Sequence, residues 1–167
     1  MNVFTVLQDE LKKEANTTLK FLQVVPLDKG DFKPHEKSMV LKNLVTHIAD
    51  IPGWIDMQLK TSELDFMARE HQPTVINSNT ELIELFKSNV EKSLKALGEA
   101  KEEQLDETWT MRGGDKIYSS ETKWESIRHS FAQLIHHRAQ LGVYLRLMNV
   151  AVPASYGNSA DDAGMFV

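Results

Sequence analysis

The sequence predicts an all-α protein, a four-helix bundle with long connections, and three observations carry that expectation. Apolar residues recur at steps of three and four along four separate stretches. Prolines, glycines and capping residues bound those stretches. Four such amphipathic helices cannot each bury a stripe alone, whereas packed around one core they can. With 167 residues the chain is a normal length for one domain, and residues 1–167 are read as a single helical-bundle domain.

The first helix is expected from about Val3 to Val25, with Phe4, Leu7, Leu11, Ala15, Thr18, Leu19 and Leu22 on one face. Pro26 ends it, because the residue before a proline is pushed out of the helical region. Gly30 and Pro34 punctuate the loop that follows, and Ser38 is the expected N-cap of a second helix. Its stripe runs Val40, Leu41, Leu44, Val45, Ile48, Ile51, Ile55 and Leu59. Pro52-Gly53 interrupts that stripe and predicts a kink rather than an end.

Residues 61–77 read as an irregular connection with a short helical turn near Leu64 to Ala68. Ser78 and Glu81 have the capping-box spacing and open a third helix carrying Leu82, Ile83, Leu85, Phe86, Val90, Leu94 and Leu97, with Gly98 as its expected stop. Residues 99–120 have the weakest pattern, and Met111 to Tyr118 suggests a tight turn or small hairpin. A fourth helix is expected from about Ser120 to Val150, through Ile127, Phe131, Leu134, Leu141, Leu145 and Met148. The connections allow either an up-down-up-down order or a crossover.

Composition narrows the function. Hydrophobic residues make up 41% of the chain and charged residues 26%, the balance of a globular protein rather than a disordered one. The formal net charge of −5, with no basic block, argues against binding nucleic acid. There is no cysteine, which removes disulfides, thiolate ligands and thiol nucleophiles together and fits a cytoplasmic setting. No secretory signal or membrane-spanning run is expected. A nucleophile elbow, a His-Glu-x-x-His motif and a phosphate-binding glycine loop are all missing. Trp54, Trp109 and Trp124 read as core or rim packing.

Histidine is the informative residue. His35 and His71 fall in loops and read as solvated. On the fourth helix His129, Gln133, His136 and Gln140 share about 60° of arc, with His137 just beyond Gln133. Residues at i and i+4 are stacked one turn apart, so Gln133 with His137, or His129 with Gln133, can reach one ion. His47 lies in the apolar run of the second helix, where it faces or borders the bundle interior. Imidazole is the commonest ligand of zinc, nickel and ferrous iron, and facing helices are where bundles build metal sites. The competing reading is a satisfied core histidine at His47 and ordinary surface contacts at His136 and His137.

The run His129-Ser130-Phe131-Ala132-Gln133-Leu134-Ile135-His136-His137-Arg138-Ala139-Gln140-Leu141 resembles the His-His-Arg-x-Gln signature of the DinB-like proteins. The stretch Pro34 to Trp54, with Lys37-Ser38, Leu44, His47-Ile48 and Gly53-Trp54, is similar to that family's second helix. The likeness implies a four-helix bundle, a homodimer, and a divalent metal held by three histidines, one of helix two and two of helix four at i and i+4. Carried over by position, the ligands are His47, Gln133 and His137. Gln133 departs from the family pattern, since an amide oxygen is a harder and weaker ligand than imidazole. The metal implied is nickel, zinc or iron. The resemblance also implies a thiol-dependent transferase acting on a small-molecule substrate with a low-molecular-weight thiol; a metal-dependent hydrolase is a variant of that reading. The alternatives are a non-catalytic module binding a small ligand, and a purely structural or regulatory dimeric bundle.

Overall fold

The computed structural model describes residues 2–68 and 74–163. Four long helices dominate: α1 (Val3–Gln23), α2 (Leu41–Lys60), α3 (Asn79–Glu99) and α4 (Lys123–Leu147). The principal helix contacts run α1–α3, α3–α2, α2–α4 and α4–α1. Sequence neighbours α1 and α2 therefore stand diagonally across the core, and the connection between them crosses over. His71, expected in a loop, lies outside the described residues.

A purely all-α fold is corrected by a three-stranded sheet of order β1-β2-β3, with β1 at Glu63–Asp65, β2 at Thr108–Gly113 and β3 at Lys116–Thr122. The hairpin expected around Met111 to Tyr118 is β2–β3, antiparallel, with an irregularity between Met111 and Arg112. Gly114 turns it with φ of 59°, a left-handed conformation glycine adopts without steric cost. The short helix expected near Leu64 to Ala68 is instead β1 and a turn. Its pairing is long-range: β1 lies parallel to β2, and Arg112 clasps Glu63 through two hydrogen bonds of 2.9 and 2.8 Å. A three-residue strand made by partners nearly fifty residues away has no local signature.

Caps decide the helix ends. Asn2 caps α1 by accepting from Phe4 N–H, and Ser78 caps α3 by accepting from Glu81 N–H. Thr122 and Glu125 form a full capping box on α4, so that helix begins three residues later than its apolar pattern suggests. Val40, not Ser38, is the N-cap of α2, and Lys37 and Ser38 belong to a turn around His35. Helix α3 runs past Gly98 to Glu99. There the missing side chain leaves room for Gln8, whose amide donates to Leu94 carbonyl at 2.9 Å.

Helix α2 continues through Pro52, and polar side chains of α3 bond to its backbone at that turn. Proline withdraws one donor and opens the i→i−4 ladder. Asn89 donates to Ala49 carbonyl at 3.0 Å. The Ser93 hydroxyl stands between Asp56 N–H, from which it accepts at 3.2 Å, and Pro52 carbonyl, to which it donates at 2.5 Å. Those last two groups would bond each other in an unbroken helix.

The core is a single cluster drawn from all four helices, including Leu11, Leu44, Ile48, Phe86, Phe131 and Leu141. Between α2 and α4 lies a polar strip: Gln58 donates to Ser126 carbonyl at 3.1 Å, Ser130 donates to Gln58, and Lys123 donates to Leu59 carbonyl. Because its members are buried and mutually satisfied, the strip fixes the register of the two helices. No helix among the described residues is long and apolar enough to cross a membrane.

Candidate functional site

Beyond the polar strip, α2 and α4 present histidines to each other. His47 is half-buried on α2 beside the buried Val45 and Ile48. His137, also half-buried, comes from α4. Their ring centres lie 4.6 Å apart with planes at 81°. Trp54, two turns along α2, closes a flank of His47 edge to face at 5.3 Å.

The facing of His137 follows from its neighbour. Consecutive helical residues point about 100° apart. Arg138 is buried against α1, where Nη1 donates to Glu14 Oε2 at 2.6 Å and to Thr18 Oγ1 at 3.1 Å. With Arg138 locked toward α1, His137 is turned toward α2.

Gln140 holds the ring. Its Oε1 lies 2.8 Å from His137 Nδ1, and its Nε2 lies 3.0 Å from His136 Nε2. An amide oxygen only accepts, so His137 carries its proton on Nδ1 and keeps a lone pair on Nε2. Burial lowers the pKa of His47, and the nearby His137 lowers it further. Burial likewise lowers that of His137; the bond to Gln140 opposes the shift and the neighbouring His136 adds to it. Both rings are therefore held toward the neutral form, the form that can donate a lone pair.

The donor set fits a divalent cation in part. A metal about 2.1 Å from an imidazole nitrogen lies roughly 3.2 Å from the ring centre, and two such rings at right-angled to tetrahedral spacing have centres roughly 4.5–5.2 Å apart. The observed 4.6 Å falls in that range. Gln133, one turn before His137 on α4, is half-buried on the same side. Among the described residues no three His, Asp or Glu side chains converge closely enough to hold an ion. His129 and His136 are exposed on α4, and the exposed His35 lies far along the chain in its own turn, where its ring accepts from Lys37 N–H.

Trp54, read as core or rim packing, does pack against the core, and it also meets the His47 ring, seven residues away on the same helix. One contributor was missed by sequence reasoning. Gln140 reads as one more polar residue on the stripe, and its spacing of three from His137 and four from His136 foretold the bridge.

The architecture is that of a four-helix bundle with a histidine pair set between two facing helices. The chain belongs to the DinB family, whose model matches residues 1–163. Among solved structures it is similar to a DinB-like protein, YjoA, from Bacillus subtilis, with 24% identity and a TM-score of 0.65 over 86% of this chain and 92% of that one. It is also similar to a DinB-like protein from Bacillus cereus ATCC 10987, with 16% identity and a TM-score of 0.69 over 90% of this chain and 95% of that one. Both likenesses concern the fold. No curated protein matches the sequence.

Proposed function

We propose that the facing histidines of α2 and α4, His47 and His137, bind a divalent cation, nickel, zinc or iron, with Gln133 as a weaker third donor. In this reading the protein is a metal-dependent enzyme acting on a small molecule, with thiol-dependent S-transfer as the leading reaction. The observation that carries it is the edge-to-face meeting of two imidazoles from separate helices.

A bound cation would supply stabilisation of an anion, thiolate or hydroxide, that is otherwise scarce at neutral pH. The remaining work belongs to the chain. Gln140 holds His137 with its Nε2 lone pair outward, and Arg138 fixes the roll of α4. Trp54 shields one flank of His47 from water and offers an apolar face to a substrate. Family membership and an acidic, cysteine-free chain support a cytoplasmic homodimer, which light scattering on the purified protein would test.

Elemental analysis of protein purified without chelator or histidine tag tests the metal. About one equivalent per chain is expected, and its loss is expected in His47→Ala and His137→Ala. Metal content and thiol-transfer activity that both survive these substitutions would overturn the proposal. The amide at position 133 favours a second reading, in which this site holds a small ligand without catalysis. Tight ligand binding with no metal-dependent turnover would select it.

A further inference from the structure

Strand β3 lies at an edge of the sheet, whose order is β1-β2-β3. β1, at the other edge, has three residues and is clasped by Arg112. β3 has seven, Lys116–Thr122, and pairs in the sheet with β2 alone. An edge strand presents a row of backbone N–H and C=O groups that can take another strand. On this one Ile117 is 62% exposed and Tyr118 52%, and β-branched and aromatic residues suit a pleated, half-covered surface.

The register of β3 shows which strand would fit. Gly113 stands opposite Lys116, and Trp109 opposite Glu121. Gly113 and Trp109 are four residues apart on β2, so they share a face, and Lys116 and Glu121 project from that face too. Ile117 is opposite Arg112 and Ser119 opposite Met111, which leaves Tyr118 as the extra residue of a bulge. With Tyr118 passed over, the strand reads Lys116, Ile117, Ser119, Ser120, Glu121, and Ser119 is its centre. Turned about a two-fold axis at Ser119 it matches itself: Lys116 meets Glu121 of the second copy, and Glu121 meets Lys116 of the second copy. Neither residue is ion-paired among the described residues; Lys116 lies over the Tyr118 ring, at 5.3 Å. A bulge and an edge lysine ordinarily protect against open-ended pairing. Here they leave one register in which the charges are complementary, and a two-fold contact closes on itself rather than growing into a filament.

We propose that β3 is a self-association edge, pairing antiparallel with β3 of a second copy of this chain so that the two sheets become one of six strands. The proposal rests on the homodimer reading above and names its contact.

Sedimentation velocity on the full-length protein, from low to high micromolar concentration, is the test. The wild type is expected to be dimeric. Lys116→Glu and Glu121→Lys each turn two attractive cross-strand pairs into two repulsive ones, and each should weaken association about tenfold or more. An equimolar mixture of the two variants should restore the dimer, because both pairs are complementary in the mixed species. The double exchange in one chain, Lys116→Glu with Glu121→Lys, should dimerise like the wild type for the same reason. Recovery in either form also shows that the substitutions leave the fold intact. A wild type that stays monomeric would overturn this proposal and the homodimer reading together. Single variants as dimeric as the wild type would overturn β3 as the contact and leave a homodimer formed through another face. Weakened single variants that recover neither on mixing nor in the double exchange would overturn the pairing.

Discussion

The imidazole of His47 on α2 meets that of His137 on α4 edge to face, with ring centres 4.6 Å apart. Two helices converge there without an ion pair or a hydrogen bond between the rings. The first prediction follows. An ion bound only by the native state stabilises it by mass action, about 2.7 kcal/mol at a hundredfold excess over Kd. For a chain of this size that corresponds to a rise in Tm on the order of 5–10 °C. Differential scanning fluorimetry with added nickel, zinc or ferrous ion should register the rise in the wild type and lose it in His47→Ala.

Gln140 fixes the tautomer of His137 through Nδ1, and partners in that position typically govern metal affinity by ten- to hundredfold. Gln140→Ala should weaken metal binding by roughly that factor while leaving urea unfolding of the metal-free protein nearly unchanged. Gln133→His should act in the opposite direction by adding a third imidazole. Isothermal titration of the metal-free variants measures both.

Glu14 and Arg138 form the most deeply buried ion pair that α1 makes with α4. Removing one partner strands the other, which typically costs about 3–5 kcal/mol. Glu14→Ala should therefore lower unfolding stability by about that amount in urea titrations. Tyr156→Phe removes one hydrogen bond to the same carboxylate and should cost only about 1 kcal/mol.

Ser93→Ala removes the contacts that α3 makes with Asp56 N–H and Pro52 carbonyl and should cost about 1 kcal/mol. Hydrogen exchange should accelerate at Asp56 before it does elsewhere in α2.

The sheet edge predicts an acid response. Glu63 has its pKa lowered first by the hydrogen bond from Arg112, and Asp65 first by the backbone N–H of Gly114 and then by that of Met67. A carboxylate depressed in the folded state contributes stability that is complete above its unfolded pKa, near 4, and is lost as pH falls through the folded value. Arg112→Ala should return Glu63 toward its ordinary titration while Asp65 keeps most of its depression. Carboxyl-detected NMR titration separates the two.

Much of this was legible in the sequence. Four stripes at helical spacing gave four helices, and Pro26 and Ser78 marked boundaries correctly. The meeting of His47 with His137 was expected only through the resemblance to the DinB-like proteins; helical spacing put the two rings on separate helices without bringing them together. The sheet was not, since β1 exists through Arg112 and the backbone of β2, whereas Leu64 to Ala68 alone suits a turn of helix. The extension of α3 past Gly98 was hidden for a similar reason: the residue that needs the space, Gln8, lies on another helix. The α4 boundary at Thr122 could have been read from Thr122 and Glu125, but strand β3 delivers the chain to that cap, and β3 is itself a product of tertiary pairing.

Arg138 and His137 are adjacent in the chain yet serve opposite neighbours, one gripping α1 and the other facing α2. The aim of a site residue is thereby inherited from a helix lying on the far side of α4. Chimeras that exchange α1 between homologues should disturb the histidine pair unless Glu14 and Thr18 travel with it, whereas exchanges that keep those two residues should leave it intact. For anyone recombining these bundles, the segment to treat as indivisible is a pair of helices, α1 with α4, rather than the histidine-bearing helix alone.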